Sequence, residues 1–262
     1  MAEPIASPAP SSFRARFRER ALLTGTFIKT PAPHAIEIVG ALGFDFVVID
    51  EEHAPFNPEA TDIALLAARA AGTAGMVRVA SASAADMLRV LDCGATGVLV
   101  PHVDSAAKAR EVVAACRYRG GKRGYSGSAR AGGYGGAKVW DHVARSDAAT
   151  TVIAMIEDPP ALAEIDAILA VEGLDGVFIG RGDLTVALGA AANTAPEVMA
   201  AVETVLAAAQ RAGKPVCVMV GSAGEAKGFR GMGASAFIVS SDQGFLRKMA
   251  AQTLAEMTEL GR

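Results

Sequence analysis

Eight short apolar runs alternate with segments of helical period, and this alternation limits the possible folds of the 262-residue chain more than any other feature. The runs are rich in Val and Ile, and most are apolar throughout. Such runs are typical of strands buried on both faces of a parallel sheet. The predicted strands are Leu23–Ile28, Asp45–Asp50, Met76–Val79, Gly97–Pro101, Thr151–Glu157, Gly176–Gly180, Pro215–Val220 and Ala236–Ser240.

The segments between these runs predict helices, and the number of units favours a closed barrel. An open doubly wound sheet typically shows a glycine fingerprint after its first strand, and Leu22–Thr26 has none. A chain of about 250 residues is typical of a single α/β barrel. We therefore predict one (β/α)8 TIM barrel. Helix candidates include Thr61–Ala71, Ala84–Asp92, Ser105–Tyr118 and Glu197–Ala212.

The chain is expected to have a short N-terminal extension ahead of one domain. Residues 1–12 are rich in Ala, Pro and Ser, and four arginines between residues 14 and 20 faintly resemble a transit peptide. Glu3 and Glu19 do not fit that pattern, and no signal-peptide apolar core follows. We interpret residues 1–20 as a flexible tail that frays and leads into a capping helix, and residues 21–262 as the barrel domain.

Composition excludes several classes of protein. The net charge is −3 with no basic stripe, which argues against nucleic-acid binding. No apolar run approaches the roughly 20 residues of a membrane span, so no membrane partner is expected. The cysteines Cys93, Cys116 and Cys217 are odd in number and form no CxxC pair. This argues against a disulfide framework and a zinc ribbon, and favours the reducing cytoplasm.

Polar residues at the predicted strand ends are the candidates for function, because barrel sites lie at the C-terminal ends of the strands. Glu157 ends the fifth strand and Asp183 follows the sixth. Two carboxylates brought together repel each other unless a cation lies between them. Oxygen ligands with open positions suit Mg²⁺ or Mn²⁺. The alternative is that each carboxylate caps the helix that follows it.

His53 is one of four histidines and follows the second strand directly. The carboxylates of residues 50–52 beside it would raise its pKa and orient its ring. His102 also follows a strand, so position alone does not single out His53, and a hydrogen-bonded structural role is the alternative for either. The remaining two are expected at the surface: His34 and His142.

Two basic residues also end predicted strands. Arg78 ends a buried run and needs an anionic partner, either a neighbouring carboxylate or a substrate oxyanion. A lysine Schiff base is another route for barrel aldolases. Among the seven lysines only Lys29 ends a strand, which favours a metal. The long connection 117–136 is rich in Gly and Ser and carries arginines, and such loops are either functional or disordered.

Several segments, in this order and spacing, resemble the HpcH/HpaI family of metal-dependent pyruvate aldolases over roughly residues 20 to 260. The specific feature is the Asp-x-Glu-His-Ala run followed, over a hundred residues later, by Gly-Val-Phe-Ile-Gly-x-x-Asp-Leu. The segments are Asp45–Asn57, Met76–Val79, Leu91–Gly94 with Leu99–Pro101, Ile156–Glu157 and Gly176–Leu184.

The resemblance implies roles for particular residues. Glu157 and Asp183 match the two ligands of one divalent ion, Mg²⁺, Mn²⁺ or Co²⁺, with no organic cofactor. His53 matches the general acid/base, and Arg78 matches the arginine that stabilises a pyruvate enolate. Asp50 matches an acidic neighbour of that histidine.

Further matches concern the substrate and a second subunit. Backbone at Gly182 and Asp183 matches the pocket for the pyruvate carboxylate, and Met155 replaces a substrate-contacting glutamine. Asp92 matches a carboxylate that raises the basicity of the histidine. Because Asp92 ends a helix ahead of the fourth strand, it lies at the opposite face of its own barrel and would serve only a neighbouring subunit. A homo-oligomer, trimer or hexamer, with sites near subunit interfaces is therefore expected.

The activity implied is reversible cleavage of a 4-hydroxy-2-oxoacid to pyruvate, or a close 2-oxoacid, and an aldehyde. The family usually has Gly-Pro-Ala-Asp where this chain has Gly180-Arg-Gly-Asp183, so the sequence does not identify which aldehyde or 2-oxoacid is the substrate. One alternative is a related barrel lyase acting on a coenzyme A thioester, with the arginine-rich loop as a nucleotide patch. Another is a non-catalytic metal-binding barrel subunit, against which His53 and Arg78 argue, because neither is needed to hold a metal.

Overall fold

The computed structural model describes residues 11–260, and its centre is a closed barrel of eight parallel strands in sequence order. Each strand pairs in parallel with the next, and β1 closes the barrel against β8. The predicted fold class is confirmed. The strands are β1 Leu23–Ile28, β2 Phe46–Asp50, β3 Ala74–Arg78, β4 Gly97–Val100, β5 Thr151–Ile156, β6 Gly176–Ile179, β7 Val216–Val220 and β8 Ala236–Ser241.

Helices surround the barrel and alternate with the strands. The long connection after the fifth helix holds one short 3-10 helix, Arg130–Gly132. The helices are α1 Ser11–Arg18, α2 Pro33–Ala41, α3 Pro58–Ala70, α4 Ala84–Asp92, α5 Ala106–Cys116, α6 Val139–Ala149, α7 Pro159–Ala163, α8 Ile165–Leu169, α9 Arg181–Ala187, α10 Pro196–Ala212, α11 Ala223–Gly231 and α12 Asp242–Glu259.

Both faces of each strand are buried, which explains the continuous apolar runs. Phe46 and Val48 of β2 belong to the cluster inside the barrel, whereas Val47 and Ile49 pack in the layer between strands and helices. Side chains alternate between the two faces of a strand. Asp50, the next residue in the inward series, therefore extends into the barrel at its C-terminal end.

Helix α1 closes the N-terminal end of the barrel. Phe13 and Phe17 are 3% and 1% exposed and join the interior cluster. A Cβ atom at Gly176 would approach the Phe17 ring to 2.8 Å, so a glycine is needed where the ring meets β6. Helix α1 is thus the capping helix expected to follow the tail, and Phe13 and Phe17 pack it within the stretch that was predicted to be flexible through residue 20. Residues 1–10 of that predicted tail lie outside the described part of the chain.

The arginine-rich connection 117–136 is folded against the N-terminal end of the barrel. Its arginines form ion pairs with carboxylates of neighbouring elements, and Arg117 also donates to Thr150 O at 2.9 Å. These contacts hold the loop in place, so of the two alternatives given above, disorder is not what the structure shows. The ion pairs join Arg117 to Asp175, Arg123 to Asp92 and Arg130 to Asp62.

The prediction that His142 lies at the surface is wrong. His142 on α6 is fully buried, and its ring contacts the hydroxyls of Tyr118 at 3.2 Å and Ser146 at 3.3 Å. The loop carries Tyr118 over α6, and this long-range packing covers a histidine that the local sequence marks as polar. His34 on α2 is exposed, as predicted.

Within residues 11–260, no helix combines the length and the apolar character needed to cross a membrane. Cys93, Cys116 and Cys217 are all free thiols. Burial raises the pKa of Cys116 to about 12, so this thiol stays protonated.

We expect Phe17→Ala to lower the free energy of unfolding by about 3–5 kcal/mol, because it removes a buried aromatic ring and leaves a cavity at the barrel floor. Urea denaturation followed by circular dichroism measures this loss. The control is Trp140→Ala, since Trp140 is 67% exposed and its truncation should change stability by about 0.5 kcal/mol or less. Equal, small effects of both substitutions would show that α1 does not close the barrel.

Candidate functional site

A cavity of about 350 Å³ lies at the C-terminal ends of the strands. Its wall includes Lys29, His53, Arg78, Met155, Gly182 and Asp183. A larger hollow of about 1190 Å³ lies at the other end of the barrel, between α1 and the end of α10. We take the smaller cavity as the site, because it collects the polar side chains that end the strands and the larger hollow does not.

Asp50 and Arg78 form the buried ion pair at the edge of this cavity. They are register partners across β2 and β3, and Arg78 donates from Nε and Nη2 to the two carboxylate oxygens at 2.9 and 2.7 Å. Lys29 Nζ lies 3.0 Å from Asp50 Oδ2. Burial alone would raise the pKa of Asp50, but hydrogen bonding and attraction to Arg78 outweigh it and hold that pKa below its usual value.

The arginine's partner is therefore a neighbouring carboxylate, one of the two alternatives left open by the sequence. This pairing uses only two of the five N–H donors of the Arg78 guanidinium. The Arg78 guanidinium also lies 4.7 Å from the centre of the Phe27 ring. It is thus held rigidly at the cavity wall by a carboxylate and an aromatic face.

His53 and Glu52 occupy the turn after β2. His53 is about half exposed, and its Nε2 lies 3.5 Å from Glu52 Oε2. Asp50, predicted as an acidic neighbour, contacts His53 only through the backbone N–H, at 3.2 Å. Glu51 turns away from the cavity and accepts from Arg89 and Thr61. The carboxylate beside the histidine ring is therefore that of Glu52.

Glu52 was missed among the predicted site residues. Its Oε2 is buried and accepts no hydrogen bond from any described residue, and Arg78 Nε approaches it to 3.4 Å. A buried carboxylate oxygen without a donor is costly unless a cation satisfies it. The acidic run before His53 was the available signal, but it gave no way to choose between Glu51 and Glu52.

Glu157 is a buried carboxylate packed against Gly180 of the cavity wall, with 2% of its side chain exposed. Burial raises its pKa to about 7, and the nearby charge of Asp183 adds to the effect. Gly180 makes room for it, since a Cβ there would lie 2.8 Å from Glu157 Oε2. A bound cation would offset both the burial and the repulsion, so the surroundings of Glu157 fit a metal site.

His102 completes this group of side chains. Its backbone N–H donates to Glu157 Oε1 at 2.8 Å, and its ring Nδ1 lies 3.0 Å from Asp158 Oδ2. Glu52, His102 and Glu157 each offer one ligand atom, and these atoms lie within 4.8 Å of one another. The sequence pointed to His102 only as an alternative to His53, because nothing local showed which way its ring faces.

The helix-capping alternative for these carboxylates is not what the structure shows. Within residues 11–260, α7 and α9 begin without a side-chain cap: Asp158 instead contacts His102, and Asp183 lies exposed in the first turn of α9. The carboxylates at the ends of β5 and β6 therefore face the cavity region rather than serving their helices.

Three predicted site residues have clear positions. Met155 is 1% exposed and lies inside the barrel as part of the cavity wall. Gly182 and Asp183 line the same cavity in the first turn of α9, where backbone N–H groups lack intrahelical acceptors. Asp92 is not brought to the cavity: it ends α4 at the other end of the barrel and accepts from Arg123 at 2.9 Å.

Arg181, the residue that departs from the family pattern, also lines the cavity. It is 6% exposed, and its Nη2 donates to Met219 O and pairs with Glu225 Oε1, each at 2.7 Å. Its Nη1 is buried and has no acceptor among the described residues. The cavity thus carries a cationic group with an unused donor.

Comparisons with known proteins agree with this geometry. The chain is 34% identical over 249 residues to a 5-keto-4-deoxy-D-glucarate aldolase of Klebsiella pneumoniae subsp. pneumoniae, covering 94% of this chain and 96% of that protein. A HpcH/HpaI aldolase/citrate lyase family protein from Burkholderia cenocepacia superposes with a TM-score of 0.90 at 29% identity, covering 95% and 99%. The citrate synthase SbnG superposes with a TM-score of 0.87 at 30% identity, covering 96% and 99%.

The family match extends over residues 23–248, which includes all eight strands and every residue that lines the cavity. The relatives are matched over almost their full length. The barrel and the side chains at its C-terminal end are therefore compared as one unit and not as an isolated motif. The chain belongs to the HpcH/HpaI aldolase/citrate lyase family.

Proposed function

We propose that this aldolase reversibly cleaves a 4-hydroxy-2-oxoacid into pyruvate, or a close 2-oxoacid, and an aldehyde. The observation that carries the proposal is one cavity lined by a rigid arginine and a half-exposed histidine, with the buried carboxylate of Glu157 packed against its wall at Gly180. These are the groups needed to polarise a ketone, hold negative charge on its oxygen and move a proton. The aldolase relative is matched over nearly its whole length, which supports the same class of reaction.

The residues present fit one divalent ion, Mg²⁺, Mn²⁺ or Co²⁺. Family resemblance assigns Glu157 and Asp183 as its ligands, and the geometry places Glu52 and His102 beside Glu157. When bound, such an ion supplies Lewis-acid polarisation of the substrate ketone. Glu157 and Glu52 would hold it with oxygen donors, the ligand type these ions prefer.

Arg78 is proposed to stabilise the negative charge that develops on the ketone oxygen when the C3–C4 bond breaks. Asp50 keeps the guanidinium in place by occupying two of its donors, and the other donors remain for a substrate oxygen. A donor already fixed in position costs no reorganisation in the transition state. In this proposal Asp50 acts on the reaction through Arg78, and not through the His53 ring.

His53 is proposed to take the proton from the substrate's 4-hydroxyl. It lines the cavity and is accessible to a substrate, with Glu52 3.5 Å from its Nε2. A carboxylate beside the ring orients it toward the substrate. The imidazolium formed by this transfer returns the proton in the synthetic direction.

The remaining walls of the cavity are proposed to select the substrate. Backbone N–H groups of Gly182 and Asp183 suit the carboxylate of the 2-oxoacid, and Met155 presents an apolar surface to it. Lys29 and Arg181 line the same cavity, where Lys29 pairs with Asp50 and Arg181 with Glu225. The relative's name specifies a substrate derived from a diacid, so we propose that the aldehyde half also carries an acidic group.

The two alternatives from the sequence receive less support. A coenzyme A thioester lyase would use the arginine-rich loop for its nucleotide, but its arginines are already paired: Arg117 and Arg123 with carboxylates at the end of the barrel remote from the cavity, and Arg130 with Asp62 on the outer helix α3. A non-catalytic metal-binding subunit has no need of His53 or Arg78 in the cavity. Both residues line it.

We further propose a homo-oligomer, with sites near subunit interfaces, in the cytoplasm. Helix α12 has no buried residue and exposes an apolar face that includes Leu246, Met249, Leu254 and Met257. Exposed apolar surface of this kind is typical of an interface. Asp92 lies at the opposite end of its own barrel and does not reach its own cavity, which suits a role in the site of a neighbouring subunit. Three free thiols suit a reducing compartment.

Pyruvate release from a panel of 4-hydroxy-2-oxoacids tests the proposed reaction. We expect release only with a divalent ion: EDTA should abolish it and Mn²⁺, Mg²⁺ or Co²⁺ should restore it. Substrates with a terminal carboxylate should show a higher kcat/KM than otherwise matched neutral ones. Full activity after exhaustive chelation, or a substrate adduct trapped by borohydride, would rule out the metal route.

His53→Ala should preserve the fold and metal binding but slow aldol cleavage by about 10²–10⁴-fold, the usual contribution of a positioned base. Exchange of the pyruvate methyl protons should suffer less, because that step takes a proton from carbon and not from the 4-hydroxyl. Cleavage rates and deuterium exchange followed by NMR measure the two effects. The control is His34→Ala, at an exposed position on α2. Cleavage that survives within a few-fold would make His53 a structural residue.

Light scattering coupled to gel filtration should give the mass of a trimer or hexamer. The double substitution Leu246→Glu and Met249→Glu should lower that mass, because it places charges on the apolar face of α12. Gln210→Glu, which adds a charge at an exposed polar position of α10, is the control and should leave the mass unchanged. A monomeric wild-type protein would contradict the proposal.

A further inference from the structure

Lys29 stands one residue beyond the end of β1 and extends into the cavity. Phe27 belongs to the cluster inside the barrel, and alternation along the strand makes Lys29 the next inward position. The Lys29 Nζ lies 3.0 Å from Asp50 Oδ2, and its side chain, 28% exposed, lines the cavity. The lysine thus joins the polar layer of Asp50 and Arg78, from the strand beside β2.

The Asp50 carboxylate is satisfied without this lysine. Arg78 donates to both of its oxygens, at 2.9 and 2.7 Å. The backbone N–H groups of Glu52 and His53 also donate to Oδ1, at 3.3 and 3.2 Å. One buried negative charge is therefore shared between a guanidinium and an ammonium, and Asp50 neutralises the ammonium of Lys29 only in part.

Lys29 also keeps donors for a further partner. An ammonium group has three N–H donors. In the part of the chain that the structure describes, Asp50 is the one carboxylate within 4.0 Å of the Lys29 Nζ. The nearby Glu52 carboxylate approaches other groups instead, Arg78 Nε at 3.4 Å and His53 Nε2 at 3.5 Å. Two donors of a partly exposed ammonium are thus available to a ligand in the cavity.

The backbone around Lys29 is held by the start of helix α12. The Lys29 N–H donates to Asp242 Oδ1 at 2.8 Å, and the Thr30 N–H donates to Oδ2 of the same carboxylate at 3.0 Å. The lysine side chain therefore leaves the chain from a fixed point, and Asp50 fixes its other end. A group held at both ends in this way suits specific binding, which needs preorganised side chains.

The order of the strands determines which half of the substrate lies near Lys29. In a closed ring of eight strands, β6 is opposite β2. In the proposed reaction, the 2-oxoacid carboxylate lies at Gly182 and Asp183, after β6, and the 4-hydroxyl lies at His53, after β2. The aldehyde half therefore extends toward the side of the cavity formed by β1 and β2, where Lys29 lies.

We propose that Lys29 is a specificity-determining residue that binds the acidic group of the aldehyde half through Nζ. This inference rests on the proposed function, in that it assumes aldol cleavage in this cavity. Asp50 holds the ammonium in place, and the remaining donors bind a carboxylate of the substrate. Hydrogen bonds between charged groups are about twice as strong as those between neutral ones, so such a contact selects acidic aldehydes over neutral ones.

Two other roles for Lys29 lead to different expectations. As an ion-pair partner of Asp50 alone, it would affect the reaction of every substrate alike, because Asp50 acts through Arg78. As a Schiff-base lysine, it would be essential for every substrate, and borohydride would trap its adduct. A lysine that binds the charge of the substrate instead makes the effect of its removal depend on that charge.

Kinetics of aldol synthesis from pyruvate by the full chain with Mn²⁺ test the proposal. The aldehydes form matched pairs in which a carboxylate replaces a methyl group: glyoxylate with acetaldehyde, and succinic semialdehyde with butanal. Lys29→Met removes the charge and keeps an unbranched side chain. It should lower kcat/KM for the acidic aldehydes about 10–100-fold, as loss of a hydrogen bond to a charged group does, mainly through KM. The neutral aldehydes should lose much less.

Two further variants complete the test. Lys29→Arg keeps the positive charge and should retain most of the preference for acidic aldehydes. Lys227→Met removes a lysine at an exposed position of α11 and is the control, which should leave the kinetics of both pairs unchanged. Thermal unfolding followed by circular dichroism establishes that each variant is folded. If Lys29→Met does not fold, Lys29→Gln, which keeps a donor for Asp50 but has no charge, gives the same comparison.

The outcomes separate this inference from the proposed function. Equal losses for acidic and neutral aldehydes in Lys29→Met would make the lysine a structural partner of Asp50 and overturn the inference. A wild type that forms aldol products without preferring acidic aldehydes would also overturn it, while the aldolase reaction stands. If wild type forms no aldol product from pyruvate and releases none from 4-hydroxy-2-oxoacids, the proposed function fails and the role of Lys29 fails with it.

Discussion

Closure of eight parallel strands into a barrel is the constraint on which the rest of the structure depends. Side chains alternate along each strand, so closure sends every second one into a space that water does not reach. Apolar residues fill that space from the floor, where α1 contributes Phe17, up to Met76 and Met155. On β2, β3 and β5 the next inward positions, at the C-terminal ends, are polar: Asp50, Arg78 and Glu157. The site is therefore the top layer of the barrel interior.

Packing polar groups into this top layer brings charges together, and electrostatics then fixes the arrangement. Asp50 and Arg78 neutralise each other through two hydrogen bonds, which holds the arginine still. Glu157 has no comparable cation among the described side chains, and burial raises its pKa to about 7. Arg78 is thus fixed by its carboxylate, whereas Glu157 lacks a comparable cation, and the proposed metal site depends on this difference.

The two ends of the barrel serve different purposes. At the N-terminal end, buried arginines meet buried carboxylates: Asp175 receives Arg14 at 2.9 Å and Arg117 at 3.3 Å. These pairs anchor α1 and the long loop. At the C-terminal end, Glu52 and Arg181 each keep an atom without a hydrogen-bond partner among residues 11–260. Such atoms are not confined to that end, since Arg123, Thr151 and Ser235 each keep one near the N-terminal end. What distinguishes the C-terminal end is the cavity, which Arg78 and Arg181 both line.

Strand positions, the barrel and the inward residues Asp50, Arg78 and Glu157 followed from the sequence, because apolar runs and alternation are local properties. The sequence did not show which of Glu51 and Glu52 lies beside the cavity or which way the His102 ring faces. It also did not show that His142 is buried or how α1 packs against the barrel. Those outcomes depend on the turns beyond each strand end and on contacts between distant segments. The left-handed backbone of His102 sets the direction of its side chain, and the Tyr118 ring lies over α6 and buries His142. Neither feature changes the local sequence pattern. Alternation determines a side chain's direction only as far as the strand continues.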